Sequence, residues 1–101
     1  MEIIGEYYEW DSVKENANIQ KHGIDFDTAI LVFEDDSRIE WYDEEHSGTE
    51  DRYNTIGMVH DVLFVVYTER GTKTRIISAR LATRAERKLY HDYYKKTRPW
   101  G

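Results

Sequence analysis

Three runs of strand-forming residues crowd the second half of this chain: Arg52 to Met58, Val62 to Glu69 and Thr74 to Ala79. Between them, around His60-Asp61 and Arg70-Gly71-Thr72, there is room for a turn and little else. The expected arrangement is therefore an antiparallel meander. Its middle run holds the longest apolar stretch, the six residues Val62 to Tyr67, far below the ~20 residues that a membrane-spanning helix requires.

The first half reads as strand, then helices. A short strand should end at Trp10, where Asp11 is a good N-cap for a helix running to His22, with Gly23 suited to the left-handed C′ position. A second helix is expected from Asp25 or Asp27, turning Ala29, Ile30, Val32 and Phe33 inward and ending at Glu34-Asp35-Asp36. Ser37 to Tyr42 is rich in strand formers, and the polar stretch Asp43 to Asp51, with Gly48, reads as a mobile loop. After the meander, Thr83-Arg84-Ala85-Glu86 has the pattern of a capping box and should open a last helix reaching about Lys96. The order β-α-α-β-β-β-β-α predicts an α+β fold, an antiparallel sheet with helices packed on it. Residues 1–101 read as a single domain with a flexible tail from about residue 97.

With no cysteine in the chain, stability must come from packing, which suits a reducing cytoplasm. Met1 to Glu6 has neither a basic nor an apolar leader region, so neither secretion nor membrane insertion is expected. The formal net charge of −6 hides an asymmetry. Residues 1–51 carry three Lys/Arg against sixteen Asp/Glu, a net −13, whereas residues 52–101 carry eleven against four, a net +7. If the halves stay apart in space, such a chain suits one cationic and one anionic partner.

The side chains most suited to chemistry cluster late: Tyr67, Glu69, Arg70, Arg75, Arg80, Arg84 and Arg87. Arginine is always charged and offers a planar fork of donors, which fits a phosphodiester and the added charge of its pentacoordinate transition state. Strict strand alternation puts Arg75 on one face with Ile77 and Ala79, and Arg80 on the other with Ile76 and Ser78. On that reading both arginines can serve one site only at a strand end. Arg84, Lys88, His91, Lys95 and Arg98 recur at helical spacing as a basic stripe. Lys21 and His22 suit the negative end of the first helix, and His22 is also a candidate proton-transfer group. Asp43-Glu44-Glu45-His46 gives little support to a metal site, because consecutive acidic residues in a loop do not converge on one ion unaided. Phosphate-binding glycine loops, nucleophile elbows and metalloprotease helices are absent from the sequence.

Three segments together resemble the BrnT family of type II toxins. The first is Glu9-Trp10-Asp11 with Lys14, Asn18, Lys21-His22-Gly23-Ile24 and Phe26; the second is Tyr67-Thr68-Glu69-Arg70. The third is Arg75-Ile76-Ile77-Ser78-Ala79-Arg80 with Ala82-Thr83-Arg84 and Glu86-Arg87. The resemblance departs in small ways, with Ser12-Val13 where a proline often follows the aspartate, and with a Tyr-rich tail after residue 90 that carries Trp100 near its end. It implies a RelE-like fold, a ribonuclease that halts translation and growth, and a BrnA-like ribbon-helix-helix antitoxin through which operator DNA is reached. RNA supplies its own nucleophile, the 2′-hydroxyl, so no cofactor or metal is called for. On this reading Glu69 or His22 moves protons, while Arg80, Arg70 and Lys21 surround the phosphate. Arg75, Arg84, Arg87 and Tyr67 then hold the substrate. The alternative is a non-catalytic protein-binding or nucleic-acid-binding module that acts as a co-repressor with its partner.

Overall fold

The computed structural model describes residues 1–97. Its strands are β1 (Glu2–Ile4), β2 (Tyr8–Asp11), β3 (Ile39–Tyr42), β4 (Tyr53–Val59), β5 (Asp61–Arg70) and β6 (Lys73–Leu81). Its α-helices are α1 (Ser12–His22), α2 (Phe26–Ala29) and α3 (Arg84–Thr97). The expected flexible tail falls on residues 98–101, outside the described residues, as does Arg98 of the basic stripe.

All six strands join one sheet in the order β1-β2-β6-β5-β4-β3. The meander forms as expected, with His60 and Gly71 turning its corners at φ values of 60°. The sheet is mixed, however, and not antiparallel: β2 runs parallel to β6, pairing Tyr8 with Thr74 and Glu9 with Arg75. The two strands lie far apart in sequence and are not joined by a hairpin, so nothing forces them to be antiparallel. One strand also lies beyond the expected order, since β1 folds back antiparallel on β2 and becomes the sheet edge.

Asp11 caps α1 by accepting from the Val13 N–H, and Gly23 closes it in the left-handed conformation at φ 72°. The parallel pairing of β2 with β6 stops after Glu9. Further along β6, Asn18 of α1 takes over as pairing partner: its Nδ2 donates to Ala79 O at 2.8 Å and its Oδ1 accepts from Ala79 N at 3.1 Å. A buried amide side chain thus imitates a strand backbone and satisfies both polar groups of Ala79. Asp25 caps α2, but the helix gives way after Ala29 to a 3-10 turn over Ile30–Glu34 in place of one continuous helix.

On one face of the sheet, Trp10, Phe26, Ala29, Val32, Leu63, Val65, Tyr67 and Ile76 form the main core. On the other, Tyr90 of α3 packs with Ile56, Val62 and Ala82 in a smaller cluster. The capping box is present: Glu86 N donates to Thr83 Oγ1 at 3.2 Å, and Thr83 N donates to Glu86 Oε1 at 2.8 Å. Because α3 covers only the end of that face, the rest is left open.

Candidate active site on the open sheet face

A β-bulge sets which side chains reach the open face. Val66 pairs with Ser78 but Tyr67 pairs with Ile76, leaving Ile77 as the extra residue on β6. β5 is regular, so Phe64, Val66 and Thr68 share a face, and so do their partners Arg80, Ser78 and Arg75. The expectation that Arg75 and Arg80 face opposite ways is therefore corrected: strict alternation fails at the one inserted residue.

The open face forms a cleft of about 450 Å³ between β3, β4, β5, β6 and the loop after β3. Trp41, Phe64, Val66 and Ile77 supply its apolar lining, while Arg52, Arg80, Asn54, Ser78, Asp43, Glu45 and His46 supply the polar groups. Arg80 lies with its guanidinium carbon 4.0 Å from the Phe64 ring centroid, a cation–π contact. It donates to both carboxylate oxygens of Glu86, at 2.7 and 3.0 Å, and to Leu81 O at 3.2 Å. The Arg80 hydrogen bonds hold the Glu86 carboxyl below its ordinary range against the opposing effect of burial. One residue thus closes the helix cap and aims the arginine. Trp41 meets Phe64 edge-on at 5.8 Å, leaving two aromatic rings beside the cation.

The loop after β3, expected as a loop, forms part of the cleft wall. Asp43 N donates to Arg52 O at 2.8 Å, Ser47 Oγ donates to Asp43 O at 2.6 Å, and Arg52 N donates to Ser47 Oγ at 2.9 Å. Asp43 also accepts from the His46 backbone at 3.2 Å and lies 2.9 Å from His46 Nδ1. Burial raises its carboxyl pKa, but the bonds from His46 and from the Asn54 side chain outweigh that and lower it. Among the described residues no group of three or more His, Cys, Asp or Glu is placed to hold a metal ion.

The family model for the ribonuclease toxin BrnT of type II toxin-antitoxin systems matches residues 10–86. This chain belongs to the BrnT family. A crystal structure of the Brucella abortus ribonuclease toxin BrnT superposes with a TM-score of 0.58 at 25% identity. That alignment covers 74% of this chain and 94% of the Brucella chain. No curated protein matches.

Within this BrnT-family fold the residues singled out by sequence are spread over several settings. Arg80 alone among them lines the cleft. Arg75 is 9% exposed and bound by two carboxylates, Glu2 at 2.8 Å and Glu9 at 3.3 Å, so it ties β1 and β2 to β6. Tyr67 is 3% exposed, stacks on Tyr53 at 5.5 Å, and donates to Glu40 Oε1 at 2.9 Å. Burial, reinforced by Glu40, pushes its hydroxyl pKa upward, so it is a neutral core ring. Arg70 is exposed and 3.5 Å from Glu50, and Glu69 accepts from the Thr74 hydroxyl at 3.4 Å near the same turn. Lys21 and His22 sit on the last turn of α1, outside the residues that line the cleft. Arg87 donates to Ala82 O at 2.9 Å, and Arg84 is exposed on the first turn of α3.

The cleft residues that sequence reasoning passed over are Trp41, Phe64, Arg52, Asn54, Asp43 and His46. Asp43 and His46 carried the one usable signal. An aspartate three residues before a histidine in a polar stretch can bond its own turn and the ring together. Reading the stretch only as a metal cluster hides that.

Proposed function

We propose that this chain is a metal-independent, RelE-like endoribonuclease that cleaves RNA in the cleft containing Arg80 and thereby stops translation and growth. A ribbon-helix-helix antitoxin of the BrnA kind neutralises it in the cytoplasm, and operator DNA is contacted through that antitoxin. The observation that carries the reading is the placement of Arg80 beside two aromatic rings on an open face, in a chain whose family is described as ribonuclease toxins.

Unstacked RNA bases lie well on aromatic rings, while an arginine fork takes the phosphate. The three described bonds of Arg80 leave part of its five-donor guanidinium for a ligand. Arg84 and Arg87 extend the cationic surface along the start of α3 for the RNA backbone, with Arg70 and Lys21 as further phosphate contacts. Glu69 and His22 are the proton-transfer candidates that the sequence itself suggests. In the reaction the 2′-oxygen attacks phosphorus, the bond to the 5′-oxygen breaks, and a 2′,3′-cyclic phosphate results. Arg80 stabilises the charge that builds on the non-bridging oxygens.

Purified antitoxin-free protein should cleave naked total RNA equally well with and without EDTA, and ribosome-bound RNA is tested with magnesium kept, because chelation dissociates the ribosome itself. Arg80→Ala of confirmed fold should be about 100- to 1000-fold slower, the usual effect of removing a transition-state donor. Tight RNA binding without cleavage by the wild type would instead identify a co-repressor module, in which Arg80 serves only its ion pair with Glu86. Activity on naked RNA lost with chelator would mark a metal-dependent enzyme.

A further inference from the structure

We propose that His46, held by Asp43, is the general base that takes the proton of the attacking 2′-hydroxyl; this rests on the ribonuclease reading and assigns its proton transfer. Both residues line the same cleft as Arg80. Asp43 is ionised, and a carboxylate only accepts, so the hydrogen between it and the ring sits on His46 Nδ1, 2.9 Å away. That fixes the tautomer and leaves Nε2 as the basic nitrogen. The His46 side chain is 62% exposed, whereas Asp43 is 13% exposed and anchored on both sides through its backbone. A fixed carboxylate orienting an accessible imidazole is the arrangement that stabilises the imidazolium once a proton arrives.

Asn54 adds a buried polar side chain to the wall of the same cleft. It is 7% exposed, and its Oδ1 has no hydrogen-bond partner among the described residues. A buried acceptor without a donor is costly, roughly 1–3 kcal/mol.

The proton balance is simple. The 2′-O–H proton moves to His46 Nε2 as the O–P bond forms, the P–O5′ bond breaks, and water protonates the departing 5′-oxygen. The charged groups that share the cleft with His46 are Asp43, Glu45, Arg52 and Arg80. Arg52 makes no ion pair among the described residues.

The test compares wild type, His46→Gln, His46→Ala and Arg80→Ala on total RNA, naked and ribosome-bound, across pH. His46→Gln should lower kcat about 100- to 10,000-fold with little change in KM, and remove the acidic limb of the kcat profile. Free imidazole should restore part of the activity of His46→Ala, which a purely structural role would not allow. Asp43→Asn, as a positioning variant, should lower kcat with little change in KM, because the ring loses the carboxylate that orients it. A folded His46→Gln protein with wild-type rate and pH profile, beside an inactive Arg80→Ala, overturns the base assignment alone. Wild-type protein that cuts neither RNA overturns the ribonuclease reading and the base with it.

Discussion

Arg75 and Arg80 stand five positions apart on one strand and face the same side, yet their surroundings give them different work. Arg75 meets two carboxylates from β1 and β2 and becomes a buried tie between strands. Arg80 meets one carboxylate and an aromatic ring and stays on the cleft wall. Their neighbours in sequence do not distinguish them, because the partners come from residues 2, 9, 64 and 86. Glu86 has a measurable signature at this scale. Its folded pKa lies below the ordinary 4.5, so its contribution to stability is complete above that value and is lost as pH falls through the lowered one. Glu86→Gln should therefore lose part of the acid dependence of stability below about pH 4.5, read as a flatter plot of Tm against pH than that of wild type.

Elements formed where local chemistry was strong enough to act alone. The caps of α1 and α3 and the hairpins of the meander were legible, because Asp11, Gly23, the Thr83–Glu86 pair and the short turns act over a few residues. The second helix was only half legible. Its cap at Asp25 holds, but its continuation as a 3-10 turn comes from packing against β4, where Val32 sits over Gly57. A β-carbon at Gly57 would come within 2.7 Å of Val32 Cγ1 and 3.2 Å of Val32 O. Gly57→Ala should accordingly destabilise the protein by about 1–3 kcal/mol, seen as a lower urea midpoint with an unchanged m-value. The bulge at Ile77 left no mark in the sequence, since Arg75 to Arg80 reads as an ordinary alternating strand.

At the scale of the whole molecule, the acidic and basic halves of the chain do not become two separate regions. β1 and β2 form one edge of the sheet and β3 the other, so acidic N-terminal segments flank the basic C-terminal strands on both sides. Arg75 with Glu2 and Glu9, and Arg70 with Glu50, are places where the two halves neutralise each other. No helix among the described residues is long and apolar enough to cross a membrane. The cations that line the cleft itself are few: Arg52 and Arg80, with Arg84 and Arg87 on the first turn of α3. With about three phosphates engaged, affinity for single-stranded RNA should fall roughly 10- to 20-fold between 50 and 200 mM salt. Fluorescence anisotropy on the Arg80→Ala and wild-type proteins would test this, a shallower slope being expected for the variant. The sequence by itself determined the α+β class, the meander, the helix caps and the family resemblance, all of which depend on local patterns or on residue identity. Tertiary structure alone decided that β2 joins the sheet in parallel, that Arg75 and Tyr67 are buried, and that Asp43 and His46 share a cleft with Arg80. Those outcomes rest on contacts between segments tens of residues apart and on one inserted residue, and neither has a local energetic signature that a linear reading could detect.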